Sequence, residues 1–335
     1  MSKRSRIIVI GAALLLVAFA AIWFGLDRSR NREPATIRIG VLRIGSSLSY
    51  FVANESKLFD KHGVRVEMVR LGDSNLAMEA ILKGEVDATD VIGSAVVAEA
   101  AQRDPNAFFV HLASAATERT NIHQLIVRKD LRIDSISGLV GRKLGVFPGS
   151  QMRAYVRMFL AKHLDAASIE KVELVPLQPP QQIDAMEARR IDAVLALEPT
   201  GTQLISTGAG TLLKQNVLFE ELSKPDPFVT AFGIVRKAWA KDNPETVRRL
   251  LAAYEEAANI IRARPDVARG VMAREFKLSP DVEAKVSLYE YYVGPGIDPR
   301  LVRQTFDLMT RAGVLTSPPE AQALIPWRGT QQLQQ

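Results

Sequence analysis

Short runs rich in β-branched residues alternate along this chain with stretches whose apolar residues recur every third or fourth position, and glycine or serine marks most boundaries. Residues 37–44 read as a strand ended by Gly45-Ser46-Ser47, and 49–62 as a helix closed by Gly63. A second strand over 64–71 breaks at Gly72-Asp73-Ser74, a helix over 76–83 stops at Gly84, and a third strand over 86–92 leads through Gly93-Ser94 into an alanine-rich helix reaching Gln102. Such alternation predicts a mostly parallel sheet with helices on both faces.

The pattern then repeats. Arg38-Ile39-Gly40-Val41 before Gly45-Ser46 matches Lys143-Leu144-Gly145-Val146 before Gly149-Ser150. Residues 66–71 match 172–177, and the acidic-alanine pairs Glu79-Ala80 and Asp87-Ala88 match Asp184-Ala185 and Asp192-Ala193. The second copy predicts strands over 143–147, 172–177 and 191–197, with helices over 152–163 and 181–189. Two further strands, 124–129 and 232–237, share an Ile-Val-Arg-Lys sequence and are read as the segments that cross between the copies. Past Trp239 the pattern is helical, with a helix over 246–264. The fold class is therefore α/β, with two Rossmann-like lobes joined by two crossing strands. The first lobe takes residues 36–125 with 230–335, and the second takes 126–229.

Composition narrows the function. The chain has no cysteine, which excludes disulfides, thiolate metal sites, a cysteine nucleophile and lipid attachment through an N-terminal cysteine. The net charge of +6 is concentrated at the start: Lys3, Arg4, Arg6, Arg28, Arg30 and Arg32 oppose only Asp27 and Glu33, leaving +2 for the rest. No basic stripe of the kind that grips nucleic acid is visible in the body. The unbroken apolar run over 7–26 follows a basic start and is long enough to span a bilayer. Two readings stand, an uncleaved anchor or a signal peptide cut after an Ala18/Ala20 site, and both export the body. Residues 1–35 then form this segment and a polar spacer. The four histidines, His62, His111, His123 and His163, lack metal-ligand spacing, and no metal or cofactor is expected.

Ligands of open α/β sheets sit beyond the carboxyl ends of the strands. The duplication then supplies two matched sets of loops around a cleft. Ser46, Ser47, Tyr50, Asp73, Ser74, Gly93 and Ser94 come from the first copy, and Gly149, Ser150, Gln151 and Glu198 from the second. Small hydroxylated residues before a helix offer amide and hydroxyl donors that suit an anion. The same residues also serve as helix caps, so Ser150, Asp73 and Ser74 carry a capping reading beside the ligand one. Tyr50 either walls the pocket or buries its ring, and Glu198 either meets a ligand donor or forms a salt bridge or solvated turn.

Four stretches carry a family resemblance: Ile37-Arg38-Ile39-Gly40, Leu58-Phe59-Asp60-Lys61-His62-Gly63-Val64, residues 80–88 (AILKGEVDA) and Gly141-Arg142-Lys143-Leu144-Gly145-Val146. In this order and spacing the chain resembles the periplasmic substrate-binding proteins of ABC importers that take up nitrate, sulfonates, taurine and thiamine precursors, over roughly 36–315. The resemblance implies a type 2 periplasmic-binding architecture, closure on a small, often anionic solute, and delivery to a membrane permease. Many relatives carry a cleavable signal or a lipid-bearing cysteine, where this chain has only its apolar run. The thiamine-pyrimidine synthases that resemble this family rely on a cysteine-rich motif absent here, and no nucleophile–base pair stands out, so a non-catalytic binder is expected. A membrane-anchored solute sensor signalling to a partner is the alternative.

Overall fold

The computed structural model describes residues 36–328 and 332–333, so the apolar N-terminal run and the spacer lie outside the described residues. The strands of the two lobes are β1 (Thr36–Leu42), β2 (Arg65–Leu71), β3 (Ala88–Thr89), β4 (Ile92–Gly93), β5 (Phe108–Ala116), β6 (His123–Arg128), β7 (Lys143–Val146), β8 (Glu173–Pro176), β9 (Ala193–Leu197), β10 (Gly210–Lys214), β11 (Phe228–Arg236) and β12 (Glu290–Val293). The helices that matter here are α1 (Leu48–Glu55), α2 (Ser74–Lys83), α3 (Ser94–Arg103), α4 (Ser150–Leu160), α5 (Thr200–Ser206), α6 (Pro244–Ala263) and α7 (Pro299–Arg311).

One sheet runs β12-β5-β11-β3-β1-β2 with β4 against β11, a second runs β10-β6-β9-β7-β8, and Trp327–Arg328 pairs antiparallel with Gln332–Leu333 in a separate two-stranded sheet. Both lobe sheets are mixed rather than mostly parallel: β1 pairs parallel with β2 and β3, and β7 with β8 and β9, whereas β11 and β6 enter antiparallel. The antiparallel members follow from the crossings, because β6 and β11 are each laid against a sheet by chain arriving from the other lobe. Neither segment itself spans the gap. The chain leaves the first sheet between Ala116 and His123 and returns between Lys214 and Phe228. Asn216 ties the two passages together, its amide NH2 donating to the Thr117 carbonyl at 2.8 Å and its backbone N–H to Asn121 Oδ1 at 2.8 Å.

The repeated Asp-Ala pairs have a structural cause. Asp87 Oδ2 accepts from the Arg38 backbone N–H at 3.1 Å, and Asp192 Oδ2 accepts from that of Lys143 at 3.0 Å. Each carboxylate thus clamps the start of its lobe's first strand. The shared Ile-Val-Arg-Lys segments complete the device: Arg236 reaches Asp87 at 3.1 Å, and Arg128 reaches Asp192 at 3.3 Å. Burial acts to raise the Asp87 carboxyl, but hydrogen bonds from Arg38 and Arg236 prevail and hold it below the usual carboxylate range. Asp87 is 2% exposed and Asp192 19%. Asp87→Ala should therefore cost about 2–3 kcal/mol, because it removes a buried acceptor from the Arg38 backbone N–H and from two partly exposed guanidiniums. Asp192→Ala should cost about 1–2 kcal/mol. Urea unfolding of the two variants checks the order, and equal midpoints would refute it.

Local departures from the sequence reading are small and explicable. The helix over 49–62 is interrupted because Lys57 is left-handed at φ 54°, so α1 ends at Glu55 and a short helix, Leu58–Lys61, follows. The third strand splits into β3 and β4 around Asp90-Val91, where the Asp90 carboxylate binds the next backbone N–H at 2.6 Å. α4 begins at Ser150, two residues earlier than expected. The core of the first lobe lies between its sheet and α1 and α6, with Tyr50, Phe59, Tyr254 and His111 in consecutive ring contact.

Candidate functional site

The two lobes meet along a seam at the carboxyl ends of β1, β4, β7 and β9. Gln151, on the first turn of α4, reaches across it. Its side-chain carbonyl accepts from the Ala95 backbone N–H at 3.1 Å, and its NH2 donates to Ser94 Oγ at 2.7 Å. The Gln151 carboxamide therefore satisfies a free amide and the hydroxyl at the start of α3. Behind it, the Tyr155 hydroxyl lies 3.3 Å away, and the Tyr155 ring stands edge-on against Phe228, as does His123.

The second contact is made by Glu198. It lies at the end of β9, is 2% exposed, and has no cationic partner among the described residues. One carboxylate oxygen accepts from the Gln124 amide at 2.7 Å, the Thr202 hydroxyl at 2.6 Å and the Ser287 backbone N–H at 3.1 Å. The other accepts from the Thr202 N–H at 3.2 Å. Ser287 lies three residues before the start of β12 of the first sheet, so this carboxylate joins the lobes. It is neither the salt bridge nor the solvated turn that its position before Pro199 suggests. Its backbone carbonyl lies 2.3 Å from where a β-carbon on Gly45 would stand, so only glycine lets the β1 loop approach this closely.

The structure distributes the remaining sequence candidates as follows. Ser46 is buried and its carbonyl accepts from the Tyr291 hydroxyl at 3.0 Å. Ser47 is fully buried beside Asp90. Tyr50 buries its ring against Phe51 and Phe59 inside the first lobe, so packing rather than pocket-lining occupies it. Asp73 caps α2, accepting from the N–H groups of Asn75 and Leu76 at 2.8 and 3.0 Å. Ser74 Oγ accepts from the Gly93 N–H at 3.0 Å and ties that helix to the end of β4. Gly149, at φ 123°, precedes α4 without a side-chain cap, so Ser150 does not serve as the cap residue. The seam thus brings Ser94 to Gln151 and Gly45 to Glu198, whereas Tyr50, Asp73 and Ser74 serve the first lobe's own framework.

Residues that the sequence did not single out complete the picture. Gln124, Thr202 and Ser287 come to Glu198 from three separate segments. Next to the seam, α4 and the end of α7 line an open cavity of about 430 Å3. It is lined by Gly149, Ser150, Arg153, Ala154, Arg157 and Met158 from α4, and by Arg311 and Ala312 from the other lobe. The spacing of Ser150, Arg153, Ala154 and Arg157 at three and four residues was the available signal for a single helical face.

Four buried groups give the protein an unusual pH response. Burial pushes the carboxyls of Asp90 and Glu198 up to about 7, and pushes His111 and His123 down to about 4 and about 3. Between pH 4.5 and 6.5 the raised carboxyls hold protons that the unfolded chain releases, so their stabilisation is lost as pH rises through 7. The histidines act oppositely: they stay neutral when folded, and their stabilisation is lost as pH falls from 6.5 toward 4 and 3. The two pairs oppose each other, so stability should be nearly flat across this window. Asp90→Asn removes one of the two carboxyls and should tilt the profile upward with pH by as much as about 1.4 kcal/mol per pH unit. Urea titrations at pH 5.0, 5.75 and 6.5 decide it, an unchanged slope being the contrary result.

Among the described residues no cluster of histidine and carboxylate side chains could hold a metal, and no helix is long and apolar enough to cross a membrane.

Comparison with known proteins fits this geometry. The sequence profile of the NMT1-like family matches residues 30–274. The chain belongs to the NMT1-like family. A Brucella abortus protein that carries the name of a binding protein is 24% identical over 260 residues, covering 74% of this chain and 75% of that relative. Among solved structures, the alkanesulfonate-binding protein SsuA of Xanthomonas axonopodis pv. citri, bound to MOPS, superposes with a TM-score of 0.67 at 17% identity, over 87% of this chain and 98% of its own. The periplasmic nitrate-binding protein NrtA of Synechocystis PCC 6803 gives 0.66 at 16% identity, over 88% and 85%. The two-lobed fold of these binding proteins is therefore the fold of this chain. The desulfurization enzyme DszB shares it too, with a TM-score of 0.62 at 15% identity over 86% and 95%. That enzyme was also solved as a cysteine-to-serine variant with biphenyl-2-sulfinic acid, and the present chain contains no cysteine.

Proposed function

We propose that this protein is an exported, non-catalytic solute-binding component whose two lobes close over a small anionic solute and present it to a membrane permease. The observation that carries this reading is the Gln151 bridge. A flexible carboxamide from one lobe satisfies the helix-start donors of the other, at 3.1 and 2.7 Å, across matched loops of small residues. Such a contact forms and breaks with lobe separation, and hinge closure of two domains around a ligand is an established mode of binding. The names of the structural relatives agree, since sulfonate- and nitrate-binding proteins share the architecture. Export and tethering rest on the apolar run over 7–26.

The test is a thermal-shift screen of sulfonates, nitrate, carboxylates and pyrimidines, followed by calorimetry. A solute at one hundred times its Kd should add about 2.7 kcal/mol of stability. Gln151→Ala should weaken the best solute at least about tenfold by loosening closure, a loss equivalent to about 1.4 kcal/mol. No stabilising solute, or undiminished affinity in the variant, would count against the reading.

A further inference from the structure

The cavity beside the seam has a composition that the closure reading does not explain. α4 is two-faced. Gln151 and Tyr155 point into the seam, whereas Ser150, Arg153, Ala154, Arg157 and Met158 lie on the stripe that faces the cavity. The opposite wall is the end of α7, which belongs to the other lobe and contributes Arg311. Three guanidiniums therefore converge from two lobes, and no carboxylate is among the lining residues. Arg157 is paired with Glu170 at 2.7 Å, but Arg153 and Arg311 form no ion pair among the described residues. Arg311 also borders a neighbouring cavity of about 220 Å3, whose lining includes Asp226 and, one turn back on α7, Asp307. Between the arginines the lining is apolar: Ala154, Met158 and Ala312.

We infer that this cavity binds an organic oxyanion with a compact apolar body, such as an arenesulfonate, arenecarboxylate or aryl phosphate, and that this anion drives lobe closure. The inference rests on the binding-protein reading above and names the chemistry of its solute. Arg153 and Arg311 approach one another only when the lobes are together, and like charges on facing walls oppose that approach. An anion between them reverses the sign of the interaction, and guanidinium–oxyanion bonds are the strong, charge-assisted kind. The small apolar surfaces accept the body of the molecule, and the volume falls within the range of small-molecule sites.

The experiment uses the full chain and four probes: 1-naphthalenesulfonate, 1-naphthoate, 1-naphthyl phosphate and the neutral 1-naphthalenemethanol. At least one anionic probe should bind by calorimetry, weaken as salt rises from 50 to 500 mM, and reduce the radius of gyration in small-angle scattering. The neutral probe should bind at least about tenfold more weakly. Arg153→Gln with Arg311→Gln should reduce anion affinity at least about thirtyfold. Both side chains are exposed, so the thermal midpoint without ligand should stay near that of the parent protein. Undiminished binding by the double variant, equal binding of the neutral probe, or no binding by any anionic probe would each overturn the inference. If affinity falls in Gln151→Ala but not in the arginine variant, the solute lies in the seam. The binding function then stands and this assignment fails.

Discussion

Replacing Gly45 with valine should hold the two lobes apart. A β-carbon at this position would lie 2.3 Å from the Glu198 carbonyl oxygen, 3.2 Å from its carbon and 3.2 Å from the Tyr289 ring. The obstacle across the seam is backbone, which cannot rotate away as a flexible side chain can. Gly45 belongs to the first lobe and Glu198 to the second, so the least costly relief is a wider opening rather than a rearranged core. The expected results are an increased radius of gyration in small-angle scattering and a loss of solute affinity of at least about a hundredfold, equivalent to about 2.7 kcal/mol. The thermal midpoint without ligand should fall only by the loss of the Glu198–Ser287 hydrogen bond across the seam, about 0.5–1.5 kcal/mol. Parent-like affinity with parent-like compactness would refute this account of closure.

Glu198→Ala should have the opposite signature, a large loss of stability. The substitution removes the acceptor for the Gln124 amide, the Thr202 hydroxyl and the Ser287 N–H, all at a site with almost no access to water. Each buried donor left without a partner costs about 1–3 kcal/mol, so a total near 3–5 kcal/mol is expected with some rehydration of the gap. Glu198→Gln separates charge from hydrogen bonding. Its oxygen can keep the three donors that share Oε1, but its NH2 then faces the Thr202 N–H, which sits 3.2 Å from the present oxygen. About 1–2 kcal/mol is expected for it. Urea unfolding gives both values. A Glu198→Ala effect below about 0.5 kcal/mol would mean that water already serves these donors.

Much of the architecture was legible because duplication writes each lobe's rules twice. The Arg38–Asp87 and Lys143–Asp192 clamps connect residues 49 apart in both copies, so the same local sequence enforces the same strand start. Strand ends were legible from Gly45, Gly93 and Gly149, and these do lie where the lobes face one another or beside that seam. What stayed hidden depends on partners distant in the chain. Glu198 reads as a surface carboxylate until Ser287, 89 residues on, brings a backbone donor to it. Arg153 reads as a solvated helix residue until Arg311 closes the opposite wall of the cavity. Tyr50 and Asp73 illustrate the converse: ring burial and capping are satisfied within one lobe, and a loop position alone does not distinguish those tasks from ligand contact.

The placement of β11 has a consequence for how the chain comes off the ribosome. This strand sits in the interior of the first sheet, between β5 and β3, yet it is made more than a hundred residues after either. Until Arg236 has emerged, only β1, β2 and β3 of this sheet can pair with one another, and β4 and β5 lack their neighbour β11. The strands β6 to β10 follow one another without such a gap, so the lobe encoded second has all its strands before the lobe encoded first. Synthesis order and assembly order are inverted, and the interval between them is when the nascent amino-terminal strands are most in need of a chaperone.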